Sequence, residues 1–437
     1  MLDTFDIICL ISFALTSSYY QIIGNMSGEG DVPVPDEAVK SSASSSKRTK
    51  IPLLTNSLAG DSLLQMSTPL PTLPFELITD ILCRLPVKSL MKFKCICKPW
   101  NSLISDRKFA RKHFRMSTMN PNLILTSKNY SPPEVSHPVY PLRSIFANVT
   151  TDAKQIKFPL NSPSNFHHSI GGIIGSCDGI LCFAAKDSEN RYIQFVLWNP
   201  ATRKYNILPS LGTSKNRATV YGFGYDRFAD NYKVVAVFGY RCDSSPDYIT
   251  QLKVHTLGTN SWRLIDDFPY GRRCCGFFPL RSSGKFVSGT LNWLVYLHDS
   301  ITVRPIVSLD LGTESFEEIL QPDYGGEGVE MVNSSTLGVL RDCLCILHGQ
   351  DIWLMKEYGN RDSWTKFATV PYLVPYCDVP YISEDDQVLL EFTTTLYEWE
   401  LAVYDSKNGT LKSIDIKKVY HLMCPYIYVE SLISPCS

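Results

Sequence analysis

"VLWNPATRKYNILP", residues 196–209, is a phrase that this chain repeats. An apolar run ends in Asn199; a polar stretch, an aromatic residue, a second apolar run and Pro209 follow. "VHTLGTNSWRLIDDFP" (254–269) and "VSLDLGTESFEEILQP" (307–322) are clear copies, and "IWLMKEYGNRDSWTKFATVP" (352–371) and "LAVYDSKNGTLKSIDI" (401–416) looser ones. Each reads as a strand, a polar turn and a strand. Ahead of each copy stands another strand pair: "IIGSCDGILCF", "YGFGYDRFADNYKVVAVFGY", "FVSGTLNWLVY", "TLGVLRDCLCILHG" and "QVLLEFTT". Four strands at a period of about 45 to 58 residues mark the blades of a β-propeller, which pack face to face and leave only short edges.

Five units account for most of the chain after residue 120. Strand-rich pieces remain at both ends, 123–158 and "YIYVESLISP" at 426–435. Together they supply a sixth, closing blade. The aromatics of these copies, Trp198, Trp262, Phe316 and Trp364, are expected to serve blade packing rather than to bind a ligand.

Ahead of the strands lies "LPFELITDILCRLPVKSLMKFKCICKPWNSLI", residues 73–104. Pro74 suits a first helical turn and Glu76 the positive end of the helix dipole. Leu73, Leu77, Ile78, Ile81, Leu82 and Leu85 recur at helical steps until Pro86. A second short helix buries Leu90, Met91 and Phe93, and a third carries Ile96, Trp100, Leu103 and Ile104 with Cys97 beside them. Three helices in about thirty-five residues cannot enclose all these side chains among themselves. The surplus must be covered by another protein or by the chain's own strands.

Composition bounds the alternatives. The 437 residues carry 14 Cys, 12% aromatic and 19% charged residues and a formal charge of −1. A near-zero charge gives no general drive toward nucleic acid. No C-x-x-C pair occurs, so the cysteines read as scattered, reduced thiols rather than a zinc or disulfide framework. "IICLISFAL" (7–15) is too short to span a bilayer and follows Asp3 and Asp6 instead of basic residues, so no stable membrane association is expected. Residues 1–70 read as an upstream or disordered leader, with Lys47–Lys50 as a short basic run. None of the usual hydrolase, phosphate-loop or dinucleotide motifs is present; the adjacent His167 and His168 are a thin case for a metal, and no cofactor or metal is expected.

The run L-P-x-E-L-I-x-x-I-L-x-R-L-P-V-K-S-L-x-x-F-K-C-I-C-K-x-W, with Leu103-Ile104-Ser105-Asp106 and Phe109, closely resembles the F-box of plant proteins across 71–115. Asp178-Gly179, Trp198-Asn199-Pro200 to Arg203, Gly222 to Asp226, Tyr232 to Val235 and Asn292-Trp293 resemble the F-box-associated domain, a kelch-like β-propeller, across 120–435. The resemblance implies a mainly β chain with a small α module: a three-helix F-box followed by a propeller of six blades. It also implies a non-catalytic, substrate-recognition subunit of a Skp–cullin–F-box ubiquitin ligase, working in the cytoplasm or nucleus. A Skp-family adaptor, and through it a cullin, would dock on a set that includes Leu73, Pro74, Leu77, Ile78, Ile81, Leu82, Leu85, Cys97 and Trp100. An unknown protein target would be held by propeller loops, for which Arg241, Tyr270, Arg272 and Arg273 are the candidates. A propeller enzyme and a stand-alone binding module are the competing readings.

Overall fold

The computed structural model describes residues 74–116, 120–127, 136–147, 153–157, 170–186, 193–211, 217–241, 248–265, 268–269, 283–295, 305–325, 335–371, 377–393, 399–414, 416 and 423–436. Contacts divide the chain into two units, Met1–Leu82 and Cys83–Ser437. In the first, α1 spans Phe75–Leu82. The second opens with α2 (Val87–Phe93), α3 (Lys98–Ser105) and α4 (Arg107–Met116). Pro86 stands as the N-cap of α2 and Pro99 lies in the first turn of α3, where a missing N–H loses no helical bond. The first three helices are those the spacing predicts; α4 is a further one.

Six four-stranded antiparallel sheets follow. Blade 1 joins β1 (Pro121–Ser127), β2 (Ser136–Pro141) and β3 (Lys154–Lys157) to the last strand of the chain, β24 (Met423–Val429), with α5 (Leu142–Phe146) between β2 and β3. Blade 2 is β4 (Ile170–Cys177), β5 (Ile180–Lys186), β6 (Ile193–Asn199) and β7 (Lys204–Ile207). Blade 3 is β8 (Arg217–Asp226), β9 (Asn231–Arg241), β10 (Tyr248–Thr256) and β11 (Arg263–Ile265). Blade 4 is β12 (Lys285–Val287), β13 (Thr290–Leu294), β14 (Ile306–Asp310) and β15 (Phe316–Ile319). Blade 5 is β16 (Thr336–Leu340), β17 (Cys343–His348), β18 (Asp351–Met355) and β19 (Trp364–Thr369). Blade 6 is β20 (Cys377–Ile382), β21 (Gln387–Thr393), β22 (Trp399–Asp405) and β23 (Thr410–Ser413). The inner strands β24, β4, β8, β12, β16 and β20 touch one another in turn, making a ring of six blades.

The repeated phrase has a local cause. Asn199 ends the third strand of blade 2, and its Oδ1 accepts the backbone N–H groups of Ala201 and Thr202 at 2.9 and 3.2 Å. Asp310 does the same for Gly312 and Thr313, both at 2.8 Å, and Asp405 for Lys407 and Asn408 at 2.9 and 3.3 Å. A short side-chain acceptor here replaces the ladder partners that the turn removes. Four residues on, the chain takes a left-handed conformation at Arg203 (φ 60°), Glu314 (φ 58°) and Gly409 (φ 66°). Only glycine adopts this without strain. Gly409→Ala is therefore expected to destabilise the fold by about 1 kcal/mol, and Arg203→Gly to leave it level or slightly stabler. Urea midpoints of the two variants check the opposite signs.

Tryptophans at the start of two outer strands tie blades 3 and 5 to the blades before them. Trp262 Nε1 donates to the carbonyl of Pro209 at 2.7 Å, and Trp364 Nε1 to that of Leu320 at 3.0 Å. Blades 3 and 4 also share a buried ion cluster. Lys233 Nζ lies 2.9 Å from both Asp226 Oδ2 and Glu314 Oε1, and Arg263 adds a further bond to Glu314. Burial alone would favour the neutral forms, but the mutual bonds outweigh it: the two carboxyls are held low and the ammonium high. All three groups stay charged at neutral pH.

His137, on β2, is buried against Phe183, and burial pushes its imidazole down to about 4. The unfolded chain takes up that proton near pH 6.5 while the folded chain refuses it until about 4. The unfolded state thus binds more protons in this window, and stability falls as pH falls through it. By pH 4.5 the loss from this residue is about 2.5 kcal/mol. Denaturant titrations at pH 7 and 4.5 should show the drop, and His137→Gln should flatten it.

Candidate functional site

On α1 the polar and apolar residues are unevenly placed. Phe75 is 54% and Leu77 49% exposed, Ile78 and Ile81 are half-buried, and Leu82 is fully buried. Pro74 is exposed ahead of the helix, and Leu73 lies outside the described residues. Leaving two large apolar side chains half in water forgoes about half of the roughly 1.5–3 kcal/mol that burial of each whole side chain is worth. Phe75 was not among the sequence candidates. Helical spacing identifies a stripe, and Phe75 falls one step to its side.

Within the second unit, Leu85 and Trp100 are buried, and Trp100 packs edge-on to Phe93 at 5.5 Å. Cys97 is the half-buried N-cap residue of α3. Ile96, in the turn before it, is 46% exposed beside exposed Cys95. Leu85 and Trp100 therefore hold helices together, whereas Ile96 offers its surface.

Helix α4 ties these helices to the ring. Its buried side carries Phe109, Ala110 and His113, and His113 Nε2 lies 2.8 Å from the carbonyl of Leu85, with the imidazole pKa lowered by burial. Its outer side meets Asp230, in the turn between β8 and β9. The Asp230 carboxylate lies 3.1 Å from Arg107 Nη2 and 3.0 Å from Arg111 Nη2, and it accepts the hydroxyl of Tyr225. Arg111 also covers the Tyr225 ring at 4.6 Å, and Arg107 donates to the Asp230 carbonyl. The Tyr225 hydroxyl, then the two arginines, hold the Asp230 carboxyl below its ordinary range.

This contact fixes which end of the ring is which. In blades 2 to 6 the turns from first to second and from third to fourth strand share one end, as antiparallel order requires. Asp230 is at that end. Arg241 terminates β9 at the other, eleven residues along the strand, so roughly 33 Å away at about 3.3 Å per residue. β11 ends and β12 begins at the Arg241 end; Tyr270, Arg272 and Arg273, like His167 and His168, lie outside the described residues. The Arg241 side chain is likewise outside them.

Among the described residues no three His, Cys, Asp or Glu side chains come together as metal ligands, and no helix is long and apolar enough to cross a membrane. No disulfide joins the described cysteines to one another, and Cys182 and Cys345 are packed as core.

The family model of the F-box associated beta propeller domain matches residues 114–435, and that of the F-box domain residues 70–112. The F-box/kelch-repeat protein At3g23880 of Arabidopsis thaliana is 32% identical over 379 residues, 83% of this chain and 96% of that protein. F-box protein CPR1 of the same plant is 27% identical over 400 residues, covering 84% and 89%. A family match over most of the chain, the six closed blades and the apolar helix ahead of them lead to one assignment. The chain belongs to the F-box proteins that carry an F-box-associated β-propeller.

Proposed function

We propose that this chain is the substrate-recognition subunit of a Skp–cullin–F-box ubiquitin ligase. The carrying observation is α1: a helix inside the F-box match keeps Phe75 and Leu77 half in solvent, a state that a foreign subunit would relieve. A Skp-family adaptor is the proposed cover of α1, on a surface that draws on Leu73, Pro74, Leu77, Ile78 and Ile81, with Phe75 added; Ile96 of the second unit is proposed as a separate contact. The proposed domain division is an F-box over 71–115 and a propeller over 120–435, after a leader.

The work of such a subunit is positional. The F-box anchors the chain to the adaptor and cullin, while the Arg241 end of the ring, turned away from α4, holds a protein target. Tethering raises the target's effective concentration near the ubiquitin-carrying enzyme and makes transfer quasi-intramolecular. No side chain of this chain needs to enter the chemistry, and degradation of the target is the expected outcome. Cytoplasm or nucleus is the proposed place of action.

A pull-down of the full chain from native plant extract, with the proteasome inhibited, tests the reading by mass spectrometry. Recovery of a Skp-family adaptor with a cullin, and of a protein whose ubiquitin-modified form accumulates, is the expected result. Recovery of the chain with neither adaptor nor cullin contradicts it.

A further inference from the structure

Helix α4 breaks two local rules of helix design. Its ten residues, RKFARKHFRM, hold five Lys or Arg and no acidic residue. Like charges stand four apart at Arg107/Arg111, Lys108/Lys112 and Arg111/Arg115, and such pairs repel. Arg107 and Lys108 also occupy the first turn, where the dipole disfavours cations. Departures from local consistency of this kind concentrate at functional sites.

The fold answers part of this charge. Asp230 takes Arg107 and Arg111. Lys108 and Arg115 make no ion pair among the described residues, and the exposed Arg227 stands on the neighbouring turn. Asp178 is a further carboxylate that Arg111, Arg115 and Arg227 act on: burial keeps its pKa raised, against the bond from the Tyr232 hydroxyl and, after it, the three arginines.

Lys108, Arg111, Lys112, Arg115 and Met116 line one recess of about 320 Å³. Beside it, Arg111 Nε is shielded from solvent and has no acceptor among the described residues. A guanidinium presents its donors as a fork that fits two oxygens of one phosphoryl group, which the unpaired Arg115 can offer whole. We propose that this recess on α4 binds a multiply phosphorylated anion, with Lys108, Arg111, Lys112 and Arg115 on its phosphoryl oxygens. The phosphoryl groups could be carried by a small soluble polyphosphate or by phosphorylated side chains of a protein. Either occupant would neutralise the helix that joins the F-box to the ring.

Calorimetric titration of the full chain tests this at physiological salt with two probes, sodium tripolyphosphate and a peptide carrying two adjacent phosphoserines. Sodium sulfate at matched ionic strength serves as the screening control. Saturable one-to-one binding of at least one probe is expected, with the probe that binds identifying the source. Lys108→Gln with Arg115→Gln, which spares the Asp230 contact and the buried face, should weaken it at least about tenfold and remove the rise in melting temperature that the probe gives the parent chain. Lys108→Gln alone should act in the same direction and carries the comparison if the double variant unfolds. Saturation by neither probe below about 1 mM, equal binding by the variants, or an equal response to sulfate would overturn the proposal.

Discussion

A chain ended after Leu422 is expected to show no cooperative unfolding transition. The deletion removes β24, which pairs with β1 over seven residues from Pro121–Val429 to Ser127–Met423. It also removes the closing lock beyond that strand. Asn199 Nδ2 donates to the carbonyls of Ser431 and Ile433 at 3.0 and 2.7 Å, and Ser431 Oγ donates to the carbonyl of Asp178 at 2.6 Å. Gly179 stays tight against this tail: a Cβ there would stand 2.5 Å from Ser431 Oγ. Tyr428, Leu432 and Ile433 are buried, and at roughly 1.5–3 kcal/mol for each such side chain their loss alone amounts to several kcal/mol. That is comparable with the whole stability of an ordinary domain, about 5–15 kcal/mol. The deletion also strips Leu123, Ile124 and Leu125 of their cover and leaves β1 as an open edge. Urea unfolding followed by tryptophan fluorescence checks the outcome. A single sharp transition at the full-length midpoint would show that the ring holds without its clasp.

The second large effect belongs to α1. Phe75→Asp with Leu77→Asp should lower the affinity for a Skp-family adaptor by about one to two powers of ten. The figure follows from covering the exposed half of two apolar side chains, each worth roughly 1.5–3 kcal/mol when buried whole, at 1.4 kcal/mol per factor of ten. Both residues are about half exposed, so the folded chain should keep its melting temperature. Leu82→Asp makes the contrasting case: it is fully buried and should unfold the helix rather than report on docking. Titration of purified adaptor into each variant, with a thermal melt alongside, separates the two. Unchanged affinity in the Phe75/Leu77 variant would move the docking surface elsewhere.

The ring was legible because its signal repeats. A terminal Asn or Asp capping a tight turn recurs at Asn199, Asp310 and Asp405, and each recurrence has the same hydrogen-bonding cause. The closing blade followed from strands left over at both ends. Helix α4 did not stand out, since only Phe109, Ala110 and His113 mark its buried side among five cations. The five-residue α5 is too short for any period to show. Within the F-box, spacing gathered Leu77, Leu82 and Leu85 into one stripe, yet the first is exposed and the others are buried. Periodicity reports that side chains share a face and is silent on which neighbour covers it. The same limit applies to Arg241, Tyr270, Arg272 and Arg273. Connections between strands carry no period, so the sequence offers no pattern that would group these four or say what they meet.

Oxidative footprinting of the purified full-length chain, with and without a Skp-family adaptor, is the decisive measurement. Phe75, Leu77 and Ile96 should lose reactivity when the adaptor binds, while the buried Leu82 stays unreactive in both states. An adaptor that fails to bind, or that binds and leaves those three side chains as reactive as in the free chain, would contradict the proposed docking.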